Sequence, residues 1–293
     1  MADRPQPFSA PRRERLRYME ATLIWEGAFQ RSQVAAVFGV HENSVTDDLT
    51  AYQDRYADHL KYDNRQKRYL RGEKFAPKFA SDDPNEYLAL LLAYAETGST
   101  AVVPLLAGAC NIAVAVPSPT PVLDREVLKL TLQAVRKHRG FRATYHSTRA
   151  SQPETCELWP HALFYTGIRW FVRAYNRKTG KFRSYAIQRL EKPKALDEVP
   201  PASRENDDDW SQQLDVEVVP NPALDEHGKM IVARDFAMKK AEGGYVWKVR
   251  VRKCLVWFFV NRYRLDDEEP DRRRNRVVLK DRQLLQRIID AGV

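Results

Sequence analysis

The chain has 293 residues, of which 43% are hydrophobic and 30% are charged, and its formal net charge is +9 at pH 7. This composition is ordinary for a globular protein, and the length favours two or three domains. The sequence has no apolar run that could cross a bilayer, no apolar centre of a signal peptide near its start, and three widely separated cysteines. We therefore expect a cytoplasmic protein in a reducing compartment, without a membrane segment, a metal site or a cofactor.

The positive charge is concentrated in the middle of the chain. Residues 123–194 have 16 Lys and Arg against 5 Asp and Glu, whereas residues 1–74 have 13 against 11. An excess of this size indicates an anionic partner. A basic face that contacts only water is the alternative.

Apolar residues at helical spacing predict three helices within residues 1–60. Gly27 follows the first helix, and Gly39 lies in a tight turn between the second and the third. Val45 and Leu49 begin the apolar stripe of the third helix. Next, two short apolar-alternating runs flank the polar turn 63–66, a pattern that predicts a β-hairpin.

The segment Gln33–Leu49, followed by this hairpin, resembles the winged helix-turn-helix family. Ala35 matches the small residue where two helices cross, and Gly39 matches the turn. An αα-hairpin without a role in DNA binding is the alternative. The resemblance implies a recognition helix in the major groove and basic residues on the phosphate backbone. The residues that we predict to contact DNA are Arg12, Arg13, Arg31, Ser32, His41, Asn43, Ser44, Thr46, Arg65, Lys67 and Arg68.

Two acidic residues depart from the pattern of related recognition helices. Asp47 and Asp48 follow Thr46, where related helices often have arginines. Because carboxylates repel phosphate, either base reading is selective or Asp48 caps a helix or pairs internally. The net charge of residues 1–74 is only +2, so a dimer that reads two half-sites is the expected DNA-binding form.

Proline-rich and acidic segments divide the chain into pieces. The segment Ala115–Pro121 cannot continue a helix or a central strand, and Val199–Trp210 is predicted to be an exposed linker. A helix around Asn85–Ala95 is apolar on one side, which suits a dimer contact or core packing equally. We expect a DNA-binding domain at residues 1–80, a connecting helix and linker at 81–122, a sensor domain at 123–198 and a last domain at 211–293.

The middle piece is predicted to be one helix followed by short antiparallel strands. The helix starts at Asp124 and closes with a cationic turn before Gly140. This order implies a small SH3-like barrel. Arg183 and Arg189 are six residues apart, so they share a face if their strand is unbroken, and two guanidiniums there suit an anionic ligand. The predicted strands are Phe141–Ser147, Glu157–Thr166, Arg169–Tyr175 and Phe182–Leu190.

The same piece resembles the WYL domain family over residues 123–194. Trp170-Phe171-Val172 matches the signature, although only its Trp is kept, and Pro160–Leu163 and Arg183–Leu190 match two further motifs. Alone, the histidine after Pro160 would more often be structural. The resemblance implies a groove for a nucleotide or nucleic-acid fragment, clamped by arginines and with an aromatic stacking face. The residues that would line it are Tyr145, Ser147, His161, Arg183 and Arg189.

The last piece resembles the WCX-type C-terminal extension that follows WYL domains, over Pro220–Met238 and Val249–Asp266. This resemblance implies a small α+β unit that forms dimers. Lys253–Tyr263 is apolar almost throughout, which suits a helix or a buried strand, and we favour a helix because Tyr245–Val251 is a predicted strand. A final helix is predicted at Arg282–Asp290. Trp257, Phe258 and Phe259 are predicted to be core residues.

The complete order predicts an α+β multidomain chain with a winged helix-turn-helix, an SH3-like β-barrel and a small α+β domain. It resembles the WYL transcriptional regulators associated with BREX and CBASS, of the BrxR and CapW kind. The resemblance implies a bacterial homodimeric repressor of anti-phage genes, most simply a BREX-type operon. It would bind a double-stranded inverted-repeat operator and release it when the WYL domain captures an anionic nucleotide or nucleic-acid effector.

Two other functions are alternatives to this one. A nucleic-acid-processing enzyme would need clustered carboxylates or a metal set, and acidic residues are scarce in the middle piece. Cys156 and His161 are five residues apart, so strand alternation places them on opposite faces. We therefore expect no enzyme. A sequence-indifferent nucleic-acid binder that acts through the basic segment remains the main alternative.

Overall fold

The structure is a computed structural model that describes residues 7–98, 113–267, 271 and 274–283. The chain divides into two compact units between Ser118 and Pro119, inside the predicted proline-rich break. None of the helices formed by the described residues is long and apolar enough to span a membrane.

The first unit begins with three helices and a three-stranded sheet, in agreement with the sequence. Its helices are α1 (Ala10–Trp25), α2 (Arg31–Phe38), α3 (Glu42–Arg55) and α4 (Pro84–Thr97), and its strands are β1 (Ala28–Phe29), β2 (Leu60–Asp63) and β3 (Arg68–Arg71). The sheet order is β1-β3-β2. Gly39 ends α2 at φ 62, the left-handed conformation that the tight turn requires.

The predicted hairpin is confirmed as the pair β2–β3. Leu60 lies opposite Arg71, and Asp63 lies opposite Arg68. A carboxylate oxygen of Asp63 accepts from the backbone N–H of Arg65 at 2.9 Å and closes the turn. Helices α1 to α3 bury Val34, Ala35, Val45 and Leu49 in one core, together with Tyr18 and Tyr52. The unit is therefore a helix-turn-helix with a wing.

A buried carboxylate fixes the segment that follows the wing. Glu20 on α1 accepts from the backbone N–H groups of Lys78, Phe79 and Ala80, at 2.7 to 3.0 Å. The Tyr52 hydroxyl on α3 donates to the same carboxylate at 2.7 Å. Burial, helped by Glu20, raises the pKa of the Tyr52 phenol. One side chain thus connects α1, α3 and the segment that leaves the wing.

The predicted connecting helix is present as α4, with Asp83 as its N-cap. The Trp25 and Tyr87 rings stack with centroids 4.6 Å apart and hold α4 to α1. No residue of α4 is buried, and Leu88 and Leu92 are exposed. Within the described part of the chain, α4 therefore does not serve as a core helix.

The second unit contains a helix and a five-stranded sheet in its first half. These elements are α5 (Arg125–Lys137), β4 (Gly140–Tyr145), β5 (Glu154–Tyr165), β6 (Trp170–Asn176), β7 (Lys181–Ala186) and β8 (Leu190–Leu196). Asp124 caps α5 through the N–H groups of Glu126 and Val127, as its sequence position predicted. The helix buries Val127 and Ala134 against the sheet.

The sheet has the order β7-β6-β5-β4-β8. Strands β7 and β8 are its two edges and are not paired with each other among the described residues. The sheet is therefore open, and the closed SH3-like barrel predicted from the sequence is not shown. Its strand register shifts at two places, one between Arg142 and Thr144 and one between Pro160 and Ala162.

The prediction of one strand over Phe182–Leu190 is wrong. Strand β7 ends at Ala186, a 3-10 helix covers Ile187–Arg189, and β8 begins at Leu190. Ile187 and Leu190 are both buried in the same core. Side chains three positions apart lie on opposite faces of a strand but on the same side of a 3-10 turn. The helix therefore lets both residues enter the core.

The second half of this unit is a smaller sheet with three helices. These elements are α6 (Asp208–Ser211), β9 (Gln213–Pro220), α7 (Glu226–Asp235), β10 (Lys239–Ala241), β11 (Gly244–Arg252), α8 (Val256–Tyr263) and β12 (Val277–Leu279), and the sheet order is β10-β11-β9-β12. The predictions of a strand before Arg252 and a helix within 253–263 are confirmed. Most of the predicted helix Arg282–Asp290 lies outside the described residues.

Two burial predictions in this half need correction. Trp257 is 46% exposed and is not a core residue, because α8 turns Val256 and Val260 inward and leaves Trp257 beside them. The segment Val199–Trp210 is not an exposed linker throughout, because Asp207 and Trp210 are both buried. Asp207 is drawn inward by an ion pair with Arg173 on β6.

Candidate functional site

The recognition helix α3 presents its first turn to solvent. His41, Glu42 and Asn43 are exposed, and Ser44 is half-buried. His41 is the N-cap, and its Nδ1 accepts from the backbone N–H of Asn43 at 3.2 Å. That contact uses the backbone of Asn43 and leaves its amide side chain available for a base edge.

Asp48 is paired inside the protein, one of the two alternatives that the sequence left open. It is fully buried, and its carboxylate accepts from Arg12 Nε at 2.7 Å and from Arg15 Nε at 2.5 Å. These pairs neutralise its charge and fix α1 against α3. Arg12 is therefore engaged within the protein, whereas Arg13 is exposed. Asp47 remains exposed on the recognition helix.

The other predicted DNA contacts fall on the start of α2, on α3 and on the wing. Arg31 donates from Nη1 to the Thr46 hydroxyl at 3.0 Å, so the structure brings these two residues together. Ser32 is exposed beside Arg31 at the N-terminal end of α2. On the wing, Arg65 and Lys67 are exposed and Arg68 is half-buried.

Three of the five predicted effector residues lie at one end of the central sheet. Tyr145 is opposite Leu190 in the pairing of β4 with β8. The backbone N–H of His146 donates to the carbonyl oxygen of Arg189 at 3.0 Å. Ser147 follows directly and is half-buried. Tyr145, Ser147 and Arg189 are therefore close neighbours.

Arg183 lies on the same face of the sheet as Tyr145. It is exposed on β7, opposite Ala174 on β6. Tyr185 is two residues further along and shares that face, and its ring contacts the ring of Tyr145 with centroids 5.0 Å apart. The strand alternation that was expected to align Arg183 with Arg189 does not apply, because the 3-10 helix separates them.

His161 is not brought to this group. It lies in the β-bulge between Pro160 and Ala162, and its side chain is only 7% exposed. Its Nε2 donates to Asp207 Oδ2 at 2.9 Å, and its ring contacts the ring of Trp210 with centroids 5.2 Å apart. His161 therefore has the structural environment that a single histidine in a strand most often has.

Asp207, which binds both His161 and Arg173, shows which face of the sheet His161 occupies. Arg173 lies opposite Ser184, so their side chains share a face. Ser184 and Arg183 are consecutive in β7, so their side chains point to opposite faces. Arg173 donates to Asp207 through Nε and Nη2, both at 2.8 Å. Because Arg173 and His161 both bind Asp207, they lie on the face opposite to Arg183.

Arg173 and His161 change the pKa of the buried Asp207 carboxyl. Burial would raise the pKa of the Asp207 carboxyl, but the hydrogen bonds and charges of Arg173 and His161 outweigh it and lower the pKa to about 2. The next residues join the same region to the C-terminal sheet, because Lys253 pairs with Asp209 at 2.7 Å. Apart from a single arginine inside an apolar strand, no pattern in the sequence indicates this group.

Metal or nucleophilic chemistry finds little support in the described residues. They contain no group of three or more His, Cys, Asp or Glu side chains that could hold a metal ion. Burial raises the pKa of the Cys156 thiol and disfavours the reactive thiolate. Cys156 also packs in the core against α5, whereas His161 binds Asp207 on the other face.

Comparison with known proteins confirms the resemblance found in the sequence. Three family models match: the BrxR transcriptional regulator winged helix-turn-helix domain at residues 12–93, the WYL domain at 126–195 and the BrxR transcriptional regulator C-terminal dimerization domain at 213–285. A DNA-binding transcriptional repressor CapW of Stenotrophomonas maltophilia is 28% identical over 252 residues, which cover 86% of this chain and 83% of the relative. The CapW repressor of Pseudomonas aeruginosa is 28% identical over 262 residues, 88% of this chain and 85% of the relative.

Proposed function

We propose that this chain, which combines the BrxR-type winged helix, WYL and C-terminal dimerization domains, is a homodimeric transcriptional repressor. The observation that carries the proposal is the order of these three matched domains, shared with CapW repressors over most of the chain. The solvent-facing start of α3 supports it. A BREX-type anti-phage operon is the proposed target, as the resemblance to BREX-associated regulators implies.

The proposed operator is an inverted repeat that two recognition helices read in successive major grooves. Asn43 is suited to adenine, and Ser44 can bond to several bases. Arg13, Ser32 and the basic residues of the wing would hold the phosphates and set the register. Because residues 1–74 have a net charge of only +2, two subunits are needed for tight binding.

A competition experiment tests the proposal against a sequence-indifferent binder. Labelled DNA from upstream of the gene is bound by the full chain and displaced with unlabelled upstream or bulk DNA. A repressor should prefer its own DNA by a factor on the order of 10³ or more. Equal displacement by both DNAs, with affinity that falls steeply in salt, would favour the general binder.

We propose also that the central sheet receives an anionic nucleotide or nucleic-acid fragment on the face that holds Tyr145 and Arg183, at the end of the sheet where Arg189 is a neighbour of Tyr145. Their guanidiniums suit phosphate, and the phenol offers a stacking surface. The ligand can release DNA only if it binds the non-binding conformation more tightly than the DNA-bound one. His161 is left out of this group because it is bound to Asp207.

Replacing Arg183 or Arg189 with alanine is expected to leave operator binding within about twofold, because both residues lie outside the winged helix. The same changes should block derepression, since each removes a charge-assisted contact of about 1.5–3 kcal/mol. Operator binding is measured by anisotropy, and derepression by a reporter during phage challenge.

Lys194→Ala is the matched control, since it removes an exposed cation from the same sheet. The control should respond to phage like the unsubstituted chain. A normal response in both arginine variants would show that this face does not hold the effector.

A further inference from the structure

Arg31 is tied to the recognition helix by a single contact. It is half-buried at the start of α2, and its Nη1 donates to the Thr46 hydroxyl on α3 at 3.0 Å. Among the residues that the structure describes, the Arg31 guanidinium has no other side-chain hydrogen bond and no carboxylate within ion-pair distance. Because a guanidinium has five N–H donors, most of those of Arg31 remain available to a ligand.

The Thr46 hydroxyl is already used within the protein. It donates its hydrogen to the backbone carbonyl oxygen of Glu42 at 3.0 Å and accepts from Arg31. A hydroxyl has one hydrogen and two lone pairs, so Thr46 has no donor left for a base or a phosphate. The contact instead holds the guanidinium of Arg31 beside α3.

The guanidinium lies next to the face of α3 that begins with Asn43. Asn43 and Thr46 are three positions apart in this helix, so their side chains are neighbours on its surface. Burial raises the pKa of the Tyr69 phenol on β3, and the charge of Arg31 opposes this rise, which puts Arg31 near the wing as well. Arg31 therefore lies between the two elements that are proposed to contact DNA.

From these observations we infer that Arg31 reads a guanine in the major groove of each half-site, and that Thr46 is a positioning residue for Arg31 and not a base contact. Paired donation from arginine to the O6 and N7 atoms of guanine is the commonest specific contact in this groove. A guanidinium already fixed on the reading helix loses little freedom when it binds.

A phosphate contact is the other role to consider for Arg31. The start of a helix offers phosphate its backbone N–H groups, and at the start of α2 the exposed Ser32 adds a hydroxyl. Neither contact needs a side chain bonded to α3. The bond to Thr46 is therefore better explained by base reading, which requires a guanidinium in a fixed place.

The inference rests on the proposed function and deepens it, because it names a base that the operator must contain. The test uses the full chain at low salt, so that weakened variants still bind. The labelled upstream DNA is compared with copies in which each G·C pair of the half-sites is replaced in turn by A·T. At the position that Arg31 reads, the unsubstituted chain should lose affinity roughly fivefold or more per half-site.

Arg31→Ala should bind the native operator more weakly and should no longer show the loss at that position. Arg31→Lys keeps the charge but not the planar fork, so it should also stop discriminating there. A phosphate contact would behave differently, because Arg31→Ala would then weaken binding to every sequence equally. Equal weakening, with discrimination retained at every position, would overturn the inference.

Thr46→Val keeps the shape of the side chain but removes the acceptor of the Arg31 contact. It should reduce the same discrimination, and adding it to Arg31→Ala should cause no further loss, because the two residues act through one contact. Thr46→Ser should retain the discrimination. Unchanged discrimination in Thr46→Val would refute the positioning role.

Thr50→Val is the matched control on the same helix. The Thr50 hydroxyl donates to the backbone carbonyl oxygen of Thr46 at 3.0 Å and not to an arginine, so this variant should discriminate at the Arg31 position like the unsubstituted chain. Failure of the two proposals is distinguishable. A chain without preference for its upstream DNA over bulk DNA contradicts the repressor proposal and the inference with it. A chain that keeps this preference, with discrimination unchanged in Arg31→Ala, contradicts only the role of Arg31.

Discussion

Replacing Asp207 with alanine is expected to lower the free energy of unfolding by about 3–5 kcal/mol, the usual cost of leaving a buried charge without its partner. Arg173 would lose both of its 2.8 Å contacts while remaining buried. His161 would lose the acceptor of its Nε2–H. Urea unfolding of the full chain, followed by tryptophan fluorescence, measures the effect.

The neighbouring residue provides a control for this result. Asp208→Ala removes an exposed carboxylate one position away, and exposed charges usually contribute less than about 1 kcal/mol. If Asp207→Ala also lowers the free energy of unfolding by less than about 1 kcal/mol, the ion pair between Asp207 and Arg173 does not have the stabilising role assigned to it.

The Asp207 carboxylate should also make the free energy of unfolding depend on pH. The pKa of Asp207 is about 2 in the folded chain against an ordinary value of 3.8. A lowered pKa stabilises the fold fully above the ordinary value, and the stabilisation is lost as the pH falls toward the lowered one. The advantage of the unsubstituted chain over Asp207→Asn should therefore shrink by about 1 kcal/mol between about pH 5 and pH 3. A constant difference across that range would show that Asp207 does not titrate as described.

The double change Asn43→Ala with Ser44→Ala is expected to abolish the preference for the operator. Each lost base contact costs about 1–3 kcal/mol, and a dimer would lose two in each half-site. Four lost contacts of about 1 kcal/mol each sum to about 4 kcal/mol, which corresponds to a loss of about 10³ in affinity for the operator. This loss is as large as the expected preference for the operator over bulk DNA. Competition with bulk DNA measures the loss, and sedimentation should show an intact dimer.

The fold of the recognition helix should survive this double change. The His41 cap bonds to the backbone N–H of residue 43, which alanine keeps. Gln53→Ala, on the exposed face near the far end of the same helix, is the matched control and should retain the preference. If the double variant still selects the operator, α3 is not the reading helix.

Local patterns predicted the elements of the first unit well. Helical spacing, the Gly39 turn and alternation around residues 63–66 depend on neighbours in sequence, and all three are present in the structure. The helix within Lys253–Tyr263 was inferred because a strand precedes it. These features follow from the periodicity of helices and strands, which one sequence displays directly.

The corrections concern contacts between distant residues. Asp207 binds Arg173 across 34 positions and His161 across 46, and nothing in a linker-like acidic run indicates which carboxylate turns inward. The break of the strand after Ala186 depends on the need to bury both Ile187 and Leu190. The prediction that Arg183 and Arg189 share a face assumed that side chains alternate along one unbroken strand. The strand ends between these two residues, so the assumption does not hold.

The Glu20 carboxylate has a mechanical consequence. It grips the chain at Lys78–Ala80 and also receives the hydroxyl of Tyr52 from the recognition helix. The segment that leaves the wing is therefore connected to α3 through Glu20 and Tyr52, and not only along the chain. A displacement of this segment relative to α3 would have to break these hydrogen bonds.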